Sequence, residues 1–213
     1  MHYLLKKVTL IILLTTTSGV LLAATNDLIN DNQTNYPTWH VVAQLGYAYT
    51  NYSNNWLTSK AGFTSVTSTD RAGYSARFGA GYDVNPYLAI EAGYLYLPKI
   101  MFNNINNSKT DAGFREQIVD LVAKVSLPVW PKKFGLFIKP GIAYMYRKEV
   151  AVTINNTLLN SQSNGGTYVP TIGAGLYWNV SPNFYTDISA QYYTNNHDFK
   201  SVKFVGLGLG YIF

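Results

Sequence analysis

The last ten residues, Phe204-Val205-Gly206-Leu207-Gly208-Leu209-Gly210-Tyr211-Ile212-Phe213, restrict the fold more than any other stretch. Side chains of an extended chain alternate between two faces. Val205, Leu207, Leu209, Tyr211 and Phe213 therefore share one side, and Gly206, Gly208 and Gly210 share the other. Glycine weakens an isolated strand, so something must hold both edges of this one, and a closed barrel does so. Its apolar side then faces lipid, and its glycine side lines a crowded lumen. A buried strand of a soluble sandwich is the alternative, because a short apolar run alone does not choose between the two.

Composition bears on that choice. The 213 residues suffice for one all-β domain, and only 13% are charged although 47% are hydrophobic. That charged share is about half of what soluble domains carry. Few charges beside 18 tyrosines suit a surface partly covered by lipid. The absence of cysteine excludes a disulfide framework, thiol chemistry and a lipid-modified N-terminal Cys.

Residues 1–24 are expected to be a cleaved signal peptide: Lys6 and Lys7 lead a short apolar run, and Ala23-Ala24 offers a cleavage site. Cleavage leaves 14 Lys and Arg against 11 acids, a net charge of +3, too weak to argue for nucleic acid. Residues 25–38 are polar and aperiodic and read as a flexible periplasmic leader. Residues 39–213 contain no run of about 18 apolar residues, so an exported chain of this kind spans a membrane only as a barrel.

Period-two alternation predicts eight strands, near residues 39–50, 73–84, 87–97, 114–127, 135–147, 170–178, 184–192 and 204–213. Long loops are expected at residues 51–72, 98–113 and 148–168, with a shorter one around 195–200. Asn85-Pro86, residues 128–134 and Ser181-Pro182-Asn183 make short turns. Long and short connections thus alternate strictly, as in outer-membrane barrels with short periplasmic turns and long external loops. Pro140 falls on an outward strand position and is expected to mark a bulge or kink.

A repeat sharpens the reading. Tyr47 and Tyr49, Tyr94 and Tyr96, Tyr144 and Tyr146, and Tyr192-Tyr193 close the odd strands, at spacings of 47, 50 and 48 residues. These tyrosines are expected at one rim. Trp39, Tyr82, Trp178, Phe184, Tyr211 and Phe213 are expected at the other, so that two aromatic girdles bracket an apolar band. The fold class is therefore all-β: an eight-stranded antiparallel up-and-down transmembrane β-barrel.

At Gly81-Tyr82-Asp83-Val84-Asn85-Pro86, Ala89-Ile90-Glu91-Ala92-Gly93-Tyr94 and the terminal strand ending in Phe213, the chain resembles the transmembrane domain of the outer-membrane protein A type. Small opacity-like surface barrels are included in that likeness. The resemblance implies an outer-membrane location, and gives Tyr211 and Phe213 a role in the signal read by the barrel assembly machinery. With the chain ending at Phe213, the peptidoglycan-binding domain of larger family members is expected to be absent and wall anchoring is not carried over.

Seven charges project inward: Arg77, Lys124, Lys139 and Arg147, with Glu91, Asp120 and Asp187. Buried charges need partners, so these form either a closing ion-pair network or a wet passage, and inward glycines leave room for the long side chains. The expected role is structural or surface-interacting, with a lumen largely closed by ion pairs; a narrow porin-like channel is the alternative. A lipid A-modifying enzyme needs a Ser, a His and an acid near the outer rim. His40 lies toward the inner rim, and His197 lacks the His-x-Ser arrangement because position 199 is Phe. A lipocalin-like binder needs an apolar lumen, which Arg77 and Glu91 oppose. No cofactor and no metal site is expected. The expected partners are outer-membrane lipid, lipopolysaccharide, the assembly machinery, and a host or cell-surface ligand at the long loops. The loop cations Lys60, Arg71, Lys99, Lys109, Lys148 and Lys200 are offset by Asp70, Asp111, Glu149 and Asp198 and read as solvated.

Overall fold

A computed structural model describes residues 36–53, 65–105, 111–130, 133–154, 157–161, 165–196 and 199–213. The expected signal peptide and most of the leader lie outside the described residues, as do Lys60, Lys109, His197 and Asp198. Among the described residues eleven strands follow in order: β1 (Thr38–Thr50), β2 (Val66–Asp70), β3 (Ala72–Asn85), β4 (Leu88–Tyr96), β5 (Ile100–Ile105), β6 (Asp111–Trp130), β7 (Phe134–Ile154), β8 (Thr157–Ser161), β9 (Gly166–Asn179), β10 (Phe184–Tyr193) and β11 (Val202–Ile212).

Eight of them, β1, β3, β4, β6, β7, β9, β10 and β11, pair antiparallel in that sequence. The ladder from His40↔Ile212 to Thr50↔Val202 joins β1 to β11 and closes the ring. Closure satisfies every edge, as a wall facing hydrocarbon requires. On β11 the alternation is realised directly: Val205, Leu207 and Leu209 are exposed, Leu207 to 65%, while Gly206, Gly208 and Gly210 are buried.

Three segments expected as loops carry strands. β2 and β5 pair with each other, β5 also pairs with the outer end of β6, and β8 pairs with the outer end of β7. The reason is visible on β5. Ile100 and Phe102 share one face and, with Ile105, pack against Tyr52, Ala112 and Phe114 in a small apolar core beyond the barrel. Burying that face stabilises short strands that the Asn-rich segment around them conceals.

The short turns use side chains as well as backbone. Asn85 Oδ1 accepts from the Tyr87 and Leu88 amides at 2.8 and 2.9 Å, and Ser181 Oγ accepts from the Phe184 amide at 3.0 Å. Pro140 makes no bulge. Along β6 and β7, pairing lapses after Val122↔Gly141 and resumes in the same register at Val125↔Ile138, while Pro140↔Ile172 is kept on the β9 side. A missing N–H interrupts a ladder without inserting a residue. The insertions lie elsewhere, with register shifts at Asp83/Asn85, Arg115/Glu116 and Pro128/Trp130.

Candidate functional site

The barrel interior is layered. Its middle layer is built on Arg77, 1% exposed, and Glu91, fully buried. Arg77 Nη1 donates to Glu91 Oε1 at 2.7 Å, and its Nη2 and Nε donate to the two oxygens of Asp120 at 2.6 and 3.2 Å. Lys139 Nζ donates to both Glu91 oxygens at 3.0 and 2.9 Å. Tyr193 adds its hydroxyl to Asp120 Oδ2 at 2.8 Å. His40 sets Nε2 3.5 Å from Glu91 Oε2 and Nδ1 2.7 Å from Asp83 Oδ2. The lattice thus ties six of the eight staves: β1, β3, β4, β6, β7 and β10. Glycine makes room for it, because a Cβ on Gly93 would run into the Arg77 guanidinium, and one on Gly81 into the His40 ring.

The other inward charges stand apart from this lattice. Lys124 lies among rings, 4.9 Å from the centroid of Tyr185, 5.1 Å from Phe137 and 5.9 Å from Tyr177. Asp187 accepts from Gln44 Nε2 at 2.6 Å, and Gln44 also donates to Ser189 Oγ at 2.9 Å. Arg147 corrects the expectation of a single network. It lies farther out and donates from Nη2 to Glu116 Oε1 and to the Tyr52 hydroxyl, both at 2.9 Å. Tyr52 itself donates to Glu116 Oε1 at 2.5 Å. The Arg147 guanidinium lies over Phe114 and Phe199, at 4.2 and 4.9 Å. Burial, with the Glu116 carboxylate beside it, pushes the Tyr52 phenol well above its ordinary value.

Between the two charged layers sits an apolar one: Leu95, Ile118, Ala143, Met145, Val169, Tyr193 and Phe204, all buried. Strand order fixes the stacking. On β6, Ile118 lies between Asp120 and Glu116; on β7, Ala143 and Met145 lie between Lys139 and Arg147. Ion pairs span the middle of the lumen, and buried side chains without charge pack above them.

The outer wall carries the aromatic rows. Tyr47 pairs with Tyr74, Val119 separates Tyr94 from Tyr144, Gln117 separates Tyr96 from Tyr146, and Tyr49 and Tyr192 flank Lys203. At the opposite rim Trp39 pairs with Tyr82, Phe134 with Trp178, and Phe184 with Tyr211. The Phe213 amide donates to the Trp39 carbonyl at 2.9 Å, and its ring meets Tyr211 at 5.1 Å. Between the rows the wall is exposed and apolar, through Leu45, Phe78, Ile90, Leu121, Ile138, Ile172, Ile188 and Leu207. Soluble monomers rarely leave so broad an apolar surface open.

Residues 33–212 match the family described as OmpA-like transmembrane domain. The chain belongs to that family. As an OmpA-like domain it is a protein of the bacterial outer membrane. It is 29% identical to an uncharacterized protein of Coxiella burnetii, over 85% of this chain and 88% of that one. It is 27% identical to outer membrane protein A of Escherichia fergusonii, over 83% of this chain. The chain spans about half the length of that relative, 48%. Among solved structures, OprG of Pseudomonas aeruginosa superposes with a TM-score of 0.57 at 9% identity, covering 83% of this chain and 96% of OprG. Ail, the attachment invasion locus protein of Yersinia pestis, solved with the heparin analogue sucrose octasulfate, superposes at 0.53 and 15% identity, covering 83% and 99%. These likenesses establish the fold.

Several residues of the OmpA-like lumen were missed from sequence. Glu116 lies on the same alternation as Phe114, Ile118 and Asp120, and carrying that face outward by four residues reaches it. Tyr193 reads as half of a rim pair, yet neighbours on a strand point to opposite faces; Tyr192 faces out and Tyr193 is fully buried. Asp83 shares the inward face with Arg77, but nothing in the sequence announces its bond to His40. Tyr52 lies just past β1, where no periodicity marks it.

Proposed function

We propose that this OmpA-like domain serves the outer membrane as a structural barrel that presents its outer extension for surface contacts, and that it does not conduct solutes. The carrying observation is the layered lumen, in which the apolar layer of Ile118, Met145, Tyr193 and Phe204 lies directly outside the Arg77–Glu91–Asp120–Lys139 lattice. An ion crossing it would leave water for hydrocarbon-like surroundings at a cost of several kcal/mol. The reading is non-catalytic: His40 is held by Asp83 toward the inner end, away from the outer rim where lipid A chemistry would take place. The outer extension, with its own apolar core, is a platform for a host or cell-surface ligand, and Tyr211 and Phe213 form the signal for the assembly machinery.

Planar-bilayer recording on the refolded, inserted protein tests this. Silence at both polarities is the expected result. Steady unitary steps that change with Glu91→Ala or Asp187→Ala would replace it with the narrow-channel reading.

A further inference from the structure

Lys203 holds an unusual place on the wall. It projects on the same side of β11 as Val205, Leu207 and Leu209 and is exposed, so it crowns the apolar track of that strand. Its two cross-strand neighbours are Tyr49 on β1 and Tyr192 on β10. On the far side of Tyr49 lies Arg71. The Arg71 guanidinium sits 5.4 Å from the Tyr49 ring centroid, and its Nη1 donates to the Tyr52 carbonyl at 2.7 Å. Adjacent strands are about 4.8 Å apart, so the two cations bracket one tyrosine within reach of a single headgroup. Among the described residues the ion pairs belong to the lumen and its outer mouth, and neither Arg71 nor Lys203 joins one.

The opposite end of the same wall lacks this feature. Trp39, Tyr82, Trp178, Phe184, Tyr211 and Phe213 form the inner row, and no cation faces outward from its strands among the described residues; Lys133 sits in the turn beyond them. An aromatic row with cations at one membrane face only matches a bilayer whose anionic headgroups are concentrated in one leaflet.

The geometry points to a phosphate-binding site for lipid A of the outer leaflet, formed by Lys203 and Arg71 about Tyr49, with Tyr192 as its second aromatic wall. The phosphate takes the two cations, and an acyl chain runs down Val205, Leu207 and Leu209. This vertical order of charge, aromatic ring and hydrocarbon is that of an anionic amphiphile lying along the barrel. The proposal is independent of whether the lumen conducts.

The test uses the full chain folded in zwitterionic detergent, with folding checked by heat-modifiable electrophoretic mobility, and measures the apparent Kd for bisphosphoryl lipid A. Lys203→Gln is the primary variant because its side chain is exposed and joins no ion pair among the described residues. The Arg71→Gln/Lys203→Gln pair is the second, Lys203→Arg the rescue, and Lys133→Gln the control at the other end. Lys203→Gln should weaken binding by about fivefold and the pair by at least about tenfold, from roughly 1 kcal/mol for each basic residue at an anionic surface. Lys203→Arg and Lys133→Gln should bind as the parent does. Dephosphorylated lipid A should bind parent and pair equally weakly. Equal Kd for parent and Lys203→Gln overturns the site. So does an equal loss in Lys133→Gln, or phosphatidylglycerol competing as well as lipid A, since either reduces the effect to general charge attraction.

Discussion

Arg77 and Asp120 stand on strands that do not touch, β3 and β6, yet they are joined by two hydrogen bonds of 2.6 and 3.2 Å across the intervening β4. The bond is made through the lumen, not along the wall. It uses the space left by Gly93, the β4 residue paired with Asp120. A barrel with an empty interior would hold these staves by backbone ladders alone; this one adds a bidentate cross-brace.

Removing one partner should therefore cost more than removing both. Asp120→Ala leaves the Arg77 guanidinium buried with half its carboxylate support, and the expected loss is about 3–5 kcal/mol. Arg77→Met combined with Asp120→Leu should recover much of that, because no charge remains to be satisfied. Reversible urea unfolding in lipid vesicles, followed by tryptophan fluorescence, measures both. A double variant no more stable than Asp120→Ala would refute the cross-brace as a coupled pair.

Closure of the lumen should depend on the apolar layer as much as on the ion pairs. Glu91→Ala loosens the charged lattice but leaves Ile118, Met145, Tyr193 and Phe204 in place. Recordings from this variant should stay near baseline. Adding Tyr193→Ala and Phe204→Ala removes two of the largest side chains above it, and steps in single-channel current should appear. Conductance in Glu91→Ala alone would place the barrier in the ion pairs.

How far the fold was legible follows from where alternation dominates. Val205, Leu207 and Leu209 opposite three glycines declare both faces of β11, and the same period located all eight staves, though β7 continues to Ile154, well past the expected end at residue 147. The outer strands β2, β5 and β8 were hidden because their stability comes from tertiary packing, Ile100 and Phe102 on Tyr52 and Phe114, rather than from a long local pattern. In the site, parity assigned Arg77, Glu91, Asp120 and Lys139 to one interior but could not say which reaches which. Long side chains cross strands, so partners such as Arg77 and Asp120 are set by three-dimensional closure. Arg147 shares the inward parity and still belongs to another layer: parity alone carries no depth, but its place farther along β7 than Lys139, at about 3.3 Å per residue, does.

Phe213 offers a third test. Its amide holds the Trp39 carbonyl and its ring meets Tyr211 at the seam where β11 closes onto β1. Phe213→Ala removes the ring and leaves the backbone bond, so the finished barrel should lose little stability. If the ring is read during assembly, the fraction of heat-modifiable protein in the outer membrane of cells should fall severalfold, while refolding into vesicles without the machinery proceeds nearly as in the parent. Equal losses in both settings would make the residue a stability element of the seam.

The outer clamp yields a further prediction. Glu116 Oε1 receives both Tyr52 and Arg147, so one carboxylate fastens the segment after β1 to β6 and β7. Glu116→Gln keeps the shape but removes the charge facing Arg147, and a charged hydrogen bond of this kind contributes about 1.5–3 kcal/mol. Local unfolding of the outer extension would leave the ladders of the membrane-embedded staves intact, so the two parts should respond differently. Limited proteolysis of intact proteoliposomes should cut the outer segments of Glu116→Gln about tenfold faster or more, from the same free-energy difference, with the protected barrel fragment unchanged. Tyr52→Phe, which removes one donor and leaves the ion pair, should fall between parent and Glu116→Gln. Cleavage rates that do not rank in that order would show that the apolar core around Phe102 and Phe114, not the clamp, holds the extension.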